Sequence, residues 1–316
     1  MAIKKTRSSF PSTAGNGIDV SYMIWEDDSV KKPKAVIQLT HGWAEYGERY
    51  DELATFLAEN GFVVAAQDHL GHGRTCGFRR LGLYPPKAGK YMVEDMHVLY
   101  EIMRKKYKKI PYMLYGHSLG SMMARTYIQK YSKDLSAAAI SGTIYCPWCG
   151  FLLNPILYRV GSLLSPSYKK SGERYDKRNE KKTEEFGTHK PNIAERLINS
   201  WLSYDQDNIY NYVNDPYIGI SVTPTMLYLL PAFMNAGKLG AVRRVSKDLP
   251  IFVFSGADDM AGFFGFAAKN LHKQYVKKGR KSTLKVYGHG KHEIHNEVHL
   301  KDEVFGDLLE FFNGAL

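Results

Sequence analysis

The chain has 316 residues, of which 44% are hydrophobic and 24% charged, and its 43 Lys and Arg exceed its 32 Asp and Glu by 11. This composition excludes a wholly disordered chain, and the length is enough to bury a core without disulfide support. Three cysteines are too few for a secreted disulfide framework, and the basic first residues are followed by polar ones rather than by the apolar stretch of a signal peptide. We therefore expect a cytoplasmic protein.

Short apolar runs alternate with longer helical patterns along most of the chain. In chain order they predict strands at 18–25 and 35–40, a helix at 50–60, a strand at 62–67, a helix at 91–106, a strand at 112–115, a helix at 119–131, strands at 137–141 and 251–255, a helix at 263–276, a strand at 283–287 and a helix at 297–312. This alternation is typical of an α/β fold, with a mostly parallel central sheet and helices on both faces.

One long stretch interrupts the alternation. Residues 143–223 contain clustered prolines, aromatic residues and a charged segment at 169–190, but no strand pattern. An insertion of this length is too long for a simple loop. The predicted organisation is a core formed by residues 1–142 and 224–316, interrupted by a helical cap at 143–223.

An uncharged run at 135–158 is long enough to span a bilayer. Glycines, prolines and an asparagine interrupt it, and its first part reads better as a buried strand that ends in a turn. We therefore do not expect a transmembrane segment.

The excess of positive charge raises nucleic acid or an anionic membrane surface as partners. The basic runs at 104–109 and 277–281 each close a predicted helix, where the macrodipole favours cations, and the segment 169–190 mixes both signs of charge. No motif for DNA or RNA binding is present. We expect no nucleic-acid partner, and only weak, salt-sensitive contact with anionic membranes.

The strongest motif is Gly116-His117-Ser118-Leu119-Gly120, which follows an apolar strand and opens a helix. This is the strand–turn–helix context of a nucleophile elbow, in which glycines on either side of the serine let the strand and helix pass closely. The alternative is an ordinary glycine-rich turn. The context favours Ser118 as a nucleophile.

A nucleophilic serine needs a histidine base and an acid that orients it, in the chain order serine, acid, histidine for this type of fold. Asp258 and Asp259 follow one predicted strand, and a histidine-rich segment follows the next, where α/β sites form. The residues alone leave open which aspartate is used. They also leave open whether the histidines, listed as His289, His292, His295 and His299, include the base or form a metal site.

Acyl transfer also requires donors for the developing oxyanion. The backbone N–H of Leu119, the residue after the nucleophile, is one candidate. The loop after the strand at 35–40 contains His41-Gly42-Trp43, and the N–H of Trp43 is the second candidate. An ordinary glycine turn is the alternative for this loop.

With these motifs assembled, the chain resembles the α/β-hydrolase superfamily, and within it the monoacylglycerol lipase and lysophospholipase group of serine hydrolases. The resemblance extends from residue 10 to residue 312. Besides the elbow and the acid and histidine segments, it rests on the sequences at 41–45, 49–50 and 68–73, and on those at 201–203 and 215–216 in the insertion.

The resemblance implies specific site residues and an activity. The acid lies three residues after a glycine in this group, which selects Asp259, and the position of the histidine before the final helix selects His292. The implied activity is cleavage of lipid-like esters, such as monoacylglycerol or lysophospholipid, by a serine ester hydrolase without a cofactor or metal. Apolar segments at 151–158 and 226–230 would line an acyl site or form the core of the cap.

The chain departs from the group at several positions. Trp43 replaces a smaller residue, which would narrow the acyl pocket, and Met260-Ala261 replaces Pro-Val after the acid. The Cys146–Cys149 sequence is not typical of the group, and we interpret it as the turn that enters the cap. Alternatives to the lipid-ester activity are a small-ester esterase, an aminopeptidase, or an inactive basic binding protein.

Overall fold

The computed structural model describes residues 3–15, 17–77, 80–144, 199–218, 224–229, 236 and 241–316. Within these ranges the chain forms an eight-stranded sheet with strand order β1-β2-β4-β3-β5-β6-β7-β8. The strands are β1 Lys4–Pro11, β2 Asp19–Glu26, β3 Val36–Thr40, β4 Val63–Gln67, β5 Tyr112–His117, β6 Ala137–Ser141, β7 Ile251–Gly256 and β8 Ser282–Tyr287.

The pairing is parallel except at one edge. β1 pairs antiparallel with β2, and β2 pairs antiparallel with β4, whereas every pair from β4 to β8 is parallel. The predicted α/β class with a mostly parallel sheet is confirmed. Because parallel strands share one direction, the segments after β3, β5, β7 and β8 meet at the same edge of the sheet.

Helices connect the strands. They are α1 Asp51–Glu59, α2 Gly73–Cys76, α3 Ala88–Lys106, α4 Leu119–Tyr131, α5 Gln206–Asn214, α6 Phe266–Lys277 and α7 Lys301–Asn313. Short 3₁₀ helices cover Gly47–Tyr50, Ser132–Asp134, Pro224–Leu229, Ala241–Arg244 and Ile294–Asn296. The predicted helices are present, with ends shifted by up to four residues.

Two apolar layers cover the sheet. Successive residues of β4 alternate between them: Val63 and Ala65 pack with residues of α3, α4 and α6, and Val64 and Ala66 pack with residues of α1 and α7. The strand period of two therefore gives each central strand one apolar face for each helical layer. This burial on both faces explains why these strands are continuous apolar runs.

The sequence did not predict β1. Only Phe10 of its eight residues is buried, because β1 is an edge strand whose other side chains are mostly exposed. Its pairing with β2 over the full length depends on backbone hydrogen bonds that need no apolar pattern. An edge strand of this polarity cannot be distinguished from a loop by hydropathy.

Part of the insertion lies within the described residues. Its described segments, 143–144 and 199–218, contain α5 and no strand, whereas the acyl-lining candidates at 151–158, the charged segment at 169–190 and both Cys146 and Cys149 lie outside the described residues. The division into a core and a cap at 143–223 stays a prediction.

Two other expectations concern apolar segments. Tyr228 and Leu229, from the second acyl-lining candidate, are buried in the apolar layer that contains α3 and α4, so they pack with the helices on the sheet.

Among the helices of the described ranges, none has the length and apolarity needed to cross a bilayer.

Candidate active site

Ser118 lies on the sharp turn between β5 and α4. Its backbone has φ 52° and ψ −116°, a conformation that is costly for a residue with a side chain. Close packing on both sides forces this turn: a Cβ added to Gly116 would lie 2.6 Å from the carbonyl oxygen of Gly120, and one added to Gly120 would lie 2.1 Å from that of Thr40. Both predicted glycines are therefore needed for α4 to pass β3 and β5.

The structure brings Ser118, His292 and Asp259 together from three separate segments. Ser118 Oγ lies 2.8 Å from His292 Nε2, and His292 Nδ1 lies 2.8 Å from Asp259 Oδ1. The three residues are at most 8% exposed. Because the carboxylate accepts a hydrogen bond from Nδ1–H, the ring proton stays on Nδ1 and Nε2 is free to accept the proton of the serine hydroxyl.

Asp259, rather than Asp258, faces the histidine. Its Oδ1 also accepts the N–H of Gly262 at 3.0 Å, and its Oδ2 accepts the hydroxyl of Ser255 at 3.1 Å. Asp258 instead accepts the hydroxyl of Tyr204 at 2.9 Å on the surface. The sequence did not indicate the contribution of Ser255, although its position at the end of the apolar strand β7 was a usable signal.

The electrostatics of this pair favour the charges that proton transfer needs. Burial alone would raise the pKa of Asp259, but His292 and the hydrogen bonds from Gly262 and Ser255 lower it below its ordinary value. Burial alone would lower the pKa of His292, but Asp259 raises it above its ordinary value, with further contributions from Glu293 and Glu45. The site therefore stabilises a protonated His292 beside an ionised Asp259.

The two predicted oxyanion donors lie beside Ser118. Leu119 is the first residue of α4, and a Cβ added to Gly42 would lie 3.1 Å from Ser118 Cβ, so the 41–43 loop touches the serine. Among the described residues, neither the N–H of Trp43 nor that of Leu119 has a hydrogen-bond acceptor. Neither N–H is therefore occupied by a described residue, as the role of an oxyanion donor requires.

His41 orients the peptide that carries the Trp43 N–H. Its Nδ1 lies 2.8 Å from the Gly42 carbonyl oxygen, and its Nε2 accepts the backbone N–H of His69 at 3.0 Å. These two bonds require a neutral ring with its proton on Nδ1. Since the Gly42 carbonyl and the Trp43 N–H point in opposite directions from one peptide plane, His41 holds that N–H in a fixed direction.

The other candidate histidines do not converge on one point. His295 is buried and stacked on Tyr50, with ring centroids 4.6 Å apart. His289 and His299 are exposed, and Nε2 of His299 lies 2.9 Å from the backbone carbonyl oxygen of His289. Within the described part of the chain, no group of three or more His, Cys, Asp or Glu side chains is arranged to hold a metal ion. His117, in the elbow, is buried between Ser141 and His292.

A described segment of the insertion packs against the histidine loop. The Trp201 ring lies 5.0 Å from that of His292, and the backbone N–H of Glu293 donates to the Leu202 carbonyl at 2.8 Å. The buried Glu297 carboxylate accepts the Ser203 hydroxyl at 2.9 Å and the Lys291 N–H at 3.1 Å. These bonds join residues 201–204 to the loop that carries His292.

Comparisons with known proteins agree with this architecture. Residues 31–299 match the family model described as "Serine aminopeptidase, S33". The chain is 36% identical over 295 residues to a human monoglyceride lipase, and this alignment covers 87% of this chain and 81% of that protein. It is 27% identical over 300 residues to a monoacylglycerol lipase of Mycolicibacterium smegmatis, and that alignment covers 95% of each protein. A thermostable carboxyl esterase from Bacillus coagulans, solved with glycerol, is similar in structure, with a TM-score of 0.77, 26% identity and 99% coverage of both chains.

The buried histidines around the site predict a loss of stability in acid. Burial lowers the pKa of His41 and His69 well below the ordinary value, and that of His72 and His295 to about 4. Between about pH 6.5 and about pH 4 these four histidines therefore bind more protons in the unfolded chain than in the folded one, so their contribution to stability falls as the pH falls through this range.

Replacing one of these rings tests this linkage. His69→Phe keeps an aromatic ring against His41 and removes one titrating group, so the slope of unfolding free energy against pH should fall by up to about 1.4 kcal/mol per pH unit. Urea unfolding at pH 7, 6 and 5 measures the slope, with the exposed His299→Gln as control. An unchanged slope in His69→Phe would show that His69 does not contribute to the acid sensitivity.

Proposed function

The chain belongs to the serine aminopeptidase (S33) family of α/β hydrolases, and on this premise we propose that it is a serine ester hydrolase that cleaves lipid-like carboxylic esters, such as monoacylglycerol or lysophospholipid, through an acyl-enzyme intermediate. The observation that carries the proposal is the continuous Ser118–His292–Asp259 hydrogen-bond chain, with both distances at 2.8 Å.

The chain of hydrogen bonds assigns the proton transfers. Ser118 Oγ attacks the ester carbonyl carbon while its proton passes to His292 Nε2, and Asp259 stabilises the imidazolium that forms. Protonated His292 then gives the proton to the departing alkoxide oxygen, which leaves as an alcohol. An acyl group remains bonded to Ser118 Oγ.

Water completes the reaction by the reverse sequence. His292 takes a proton from a water molecule, whose oxygen attacks the acyl carbon, and Ser118 Oγ recovers the proton as the carboxylic acid leaves. In both steps the N–H groups of Trp43 and Leu119 would donate to the oxyanion, for which removal of one donor typically costs about 10²–10³ in kcat. No step requires a cofactor.

The substrate class is supported mainly by the relatives. The proteins named monoglyceride and monoacylglycerol lipase align over most of this chain and of their own length. A likeness of 27–36% identity supports an ester of the same general kind, whereas the acyl chain length depends on the pocket of this chain.

An aminopeptidase would need an acidic side chain near Ser118 to hold the substrate amine. Two buried carboxylates that act on the pKa of His292, those of Glu45 and Glu293, are both paired with Arg49. A carboxylate held in a buried ion pair in this way is poorly suited to bind an ammonium group. These two carboxylates therefore give no support to a peptide substrate.

Contact with anionic lipid is a further part of the proposal. The net charge of +11 favours a negatively charged surface, and the loop after Asp259 exposes Met260 and Phe264 by 59% and 61%. Exposed apolar side chains on a protein with a net positive charge suit the boundary of an anionic bilayer. Such contact would bring ester substrates to the protein.

Labelling with a fluorophosphonate probe tests the nucleophile. Wild-type protein should be labelled and should turn over p-nitrophenyl butyrate, whereas Ser118→Ala should lose labelling and about 10⁶-fold in kcat. Ser132→Ala, at the other end of α4, is the control and should be labelled normally. Equal labelling of wild type and Ser118→Ala would contradict the proposal.

The substrate class is tested by turnover of a series of p-nitrophenyl esters of rising chain length, with an aminoacyl p-nitroanilide as comparison. We expect kcat/KM to rise with chain length, because each buried methylene adds about 0.8 kcal/mol of apolar transfer free energy. A maximum at acetate would indicate a small-ester esterase, and faster cleavage of the anilide would indicate a peptidase.

Co-sedimentation with vesicles tests membrane contact. The bound fraction should rise with anionic lipid content, fall as salt is added, and fall in the variant Phe264→Asn. Asparagine is chosen because it tolerates the positive φ of 57° at this position. Vesicles of neutral lipid are the control. Binding that ignores both lipid charge and salt would refute the electrostatic contact.

A further inference from the structure

A buried ion-pair cluster lies beside the Ser118–His292–Asp259 chain. The Arg49 guanidinium contacts Glu45 Oε2 through Nε at 3.3 Å and Glu293 Oε2 through Nη2 at 2.5 Å. The side chain of Arg49 is 8% exposed, and those of the two glutamates are each 3% exposed. The ester-cleavage mechanism uses none of these three side chains directly.

Glu45 joins the cluster to the oxyanion loop. Its Oε1 accepts the backbone N–H of Gly42 at 2.5 Å and the hydroxyl of Tyr50 at 2.7 Å. His41 holds the Gly42 carbonyl, so both polar backbone groups of Gly42 are held by side chains. The direction of the Trp43 N–H therefore depends on where Glu45 lies.

Glu293 joins the cluster to the histidine loop. It follows His292 directly in the chain, and its Oε2 accepts the side-chain amides of Asn208 and Asn296, each at 2.9 Å. A displacement of the Glu293 side chain would be transmitted through one peptide to His292. Since His292 lies 2.8 Å from Ser118, a shift of 1 Å would disrupt proton transfer.

Helix α5 is the third element in the cluster. Arg49 Nη2 donates to Asn208 Oδ1 at 3.2 Å, and the guanidinium lies 5.0 Å from the ring centroid of Tyr212. Next to it, the Tyr46 hydroxyl donates to Asp215 Oδ2 at 2.8 Å. Arg49 thus contacts residues from three segments that are far apart in the chain.

Stability alone is a weak reason for such a cluster. Burying an ion pair costs desolvation energy that the attraction between its charges often fails to recover, so apolar residues of similar size can be as stable. Here one guanidinium faces two carboxylates, and burial together with Glu293 raises the pKa of Glu45 to about 7. The planar fork of arginine does, however, fix the relative position of two carboxylates.

We propose that Arg49 is a positioning residue that, by bridging Glu45 and Glu293, holds the oxyanion loop and the histidine loop in the geometry that ester cleavage requires, and ties both to helix α5. This inference rests on the proposed function, because it assigns Arg49 a role in that same reaction. Arg49 acts through Gly42 and His292 and touches no reacting atom.

Steady-state kinetics on p-nitrophenyl acetate, normalised to fluorophosphonate-titrated sites, test the proposal. Arg49→Met should lower kcat about 10–100-fold with KM changed less than about threefold, and Arg49→Lys, which keeps the charge but loses the fork, should recover part of kcat. Glu48→Gln is the matched control in the same 3₁₀ helix, because Glu48 pairs with Arg7 and Arg74 on the surface. The kcat of this control variant should stay within about twofold of wild type.

A second variant guards against misfolding. Arg49→Met leaves two buried carboxylates unpaired, so the triple variant Arg49→Met/Glu45→Gln/Glu293→Gln removes all three charges together. We expect it to fold and to be slow. If the folded triple variant keeps kcat within about twofold of wild type, Arg49 has no positioning role.

The pH profile supplies a readout that a purely structural role would not change. His292 is faced by Asp259, Glu293, Glu45, His117 and His295. Against the effect of burial, Arg49 and neighbouring hydrogen bonds lower the pKa of Glu293, so this carboxylate is ionised beside His292. Removing its negative charge in Glu293→Gln should lower the pKa of His292, and the acid limb of the kcat/KM profile should move to lower pH. An unmoved limb in a folded variant would contradict the electrostatic link.

The outcomes separate the two proposals. If wild-type protein neither labels nor turns over ester, the proposed function fails and the kcat values of these variants carry no information. In that case the positioning role of Arg49 is tested by the fluorescence of Trp201, whose ring contacts that of His292. Unchanged fluorescence in Arg49→Met would then contradict the positioning role. If wild type is active and Arg49→Met is equally active, the role of Arg49 alone is refuted.

Discussion

Helix α4 approaches the end of β3 so closely that position 120 has no space for a Cβ, which would lie 2.1 Å from the Thr40 carbonyl oxygen. This contact constrains the path of the chain through Ser118, where the strand turns sharply into the helix at a φ of 52°. It also places the first helical N–H next to the loop that leaves β3. The nucleophile and both candidate oxyanion donors thus result from one packing constraint between a helix and a strand.

The other half of the site depends on charge rather than on close packing. Asp259 lies on the loop after β7 and His292 on the loop after β8. Their positions are held by hydrogen bonds from Ser255, Gly262 and neighbouring segments. Buried carboxylates on several sides raise the pKa of His292. A rigid strand–helix junction therefore faces a set of loops whose geometry is maintained by polar contacts.

The sequence predicted the parts of this arrangement that follow from local patterns. Apolar runs predicted the central strands, and the glycine spacing predicted Ser118 as the residue at the turn. The choice of Asp259 over Asp258 required the family resemblance, because adjacent aspartates have the same local pattern. The link from Arg49 to Glu293 joins residues that are 244 positions apart in the chain, so hydropathy and spacing carried no signal for it. Ser255, by contrast, lies close before Asp259 at the end of β7, and that position was a usable signal. β1 was missed because an exposed edge strand lacks an apolar period.

That edge strand has a consequence for how copies of the protein meet at high concentration. β1 presents Lys4, Lys5 and Arg7 along the outermost row of the sheet. Strand edges are templates for pairing with another chain, and cationic side chains at such an edge repel a second edge of the same kind. The same polar pattern that leaves β1 without an apolar period therefore disfavours the continuous intermolecular sheets from which aggregates grow.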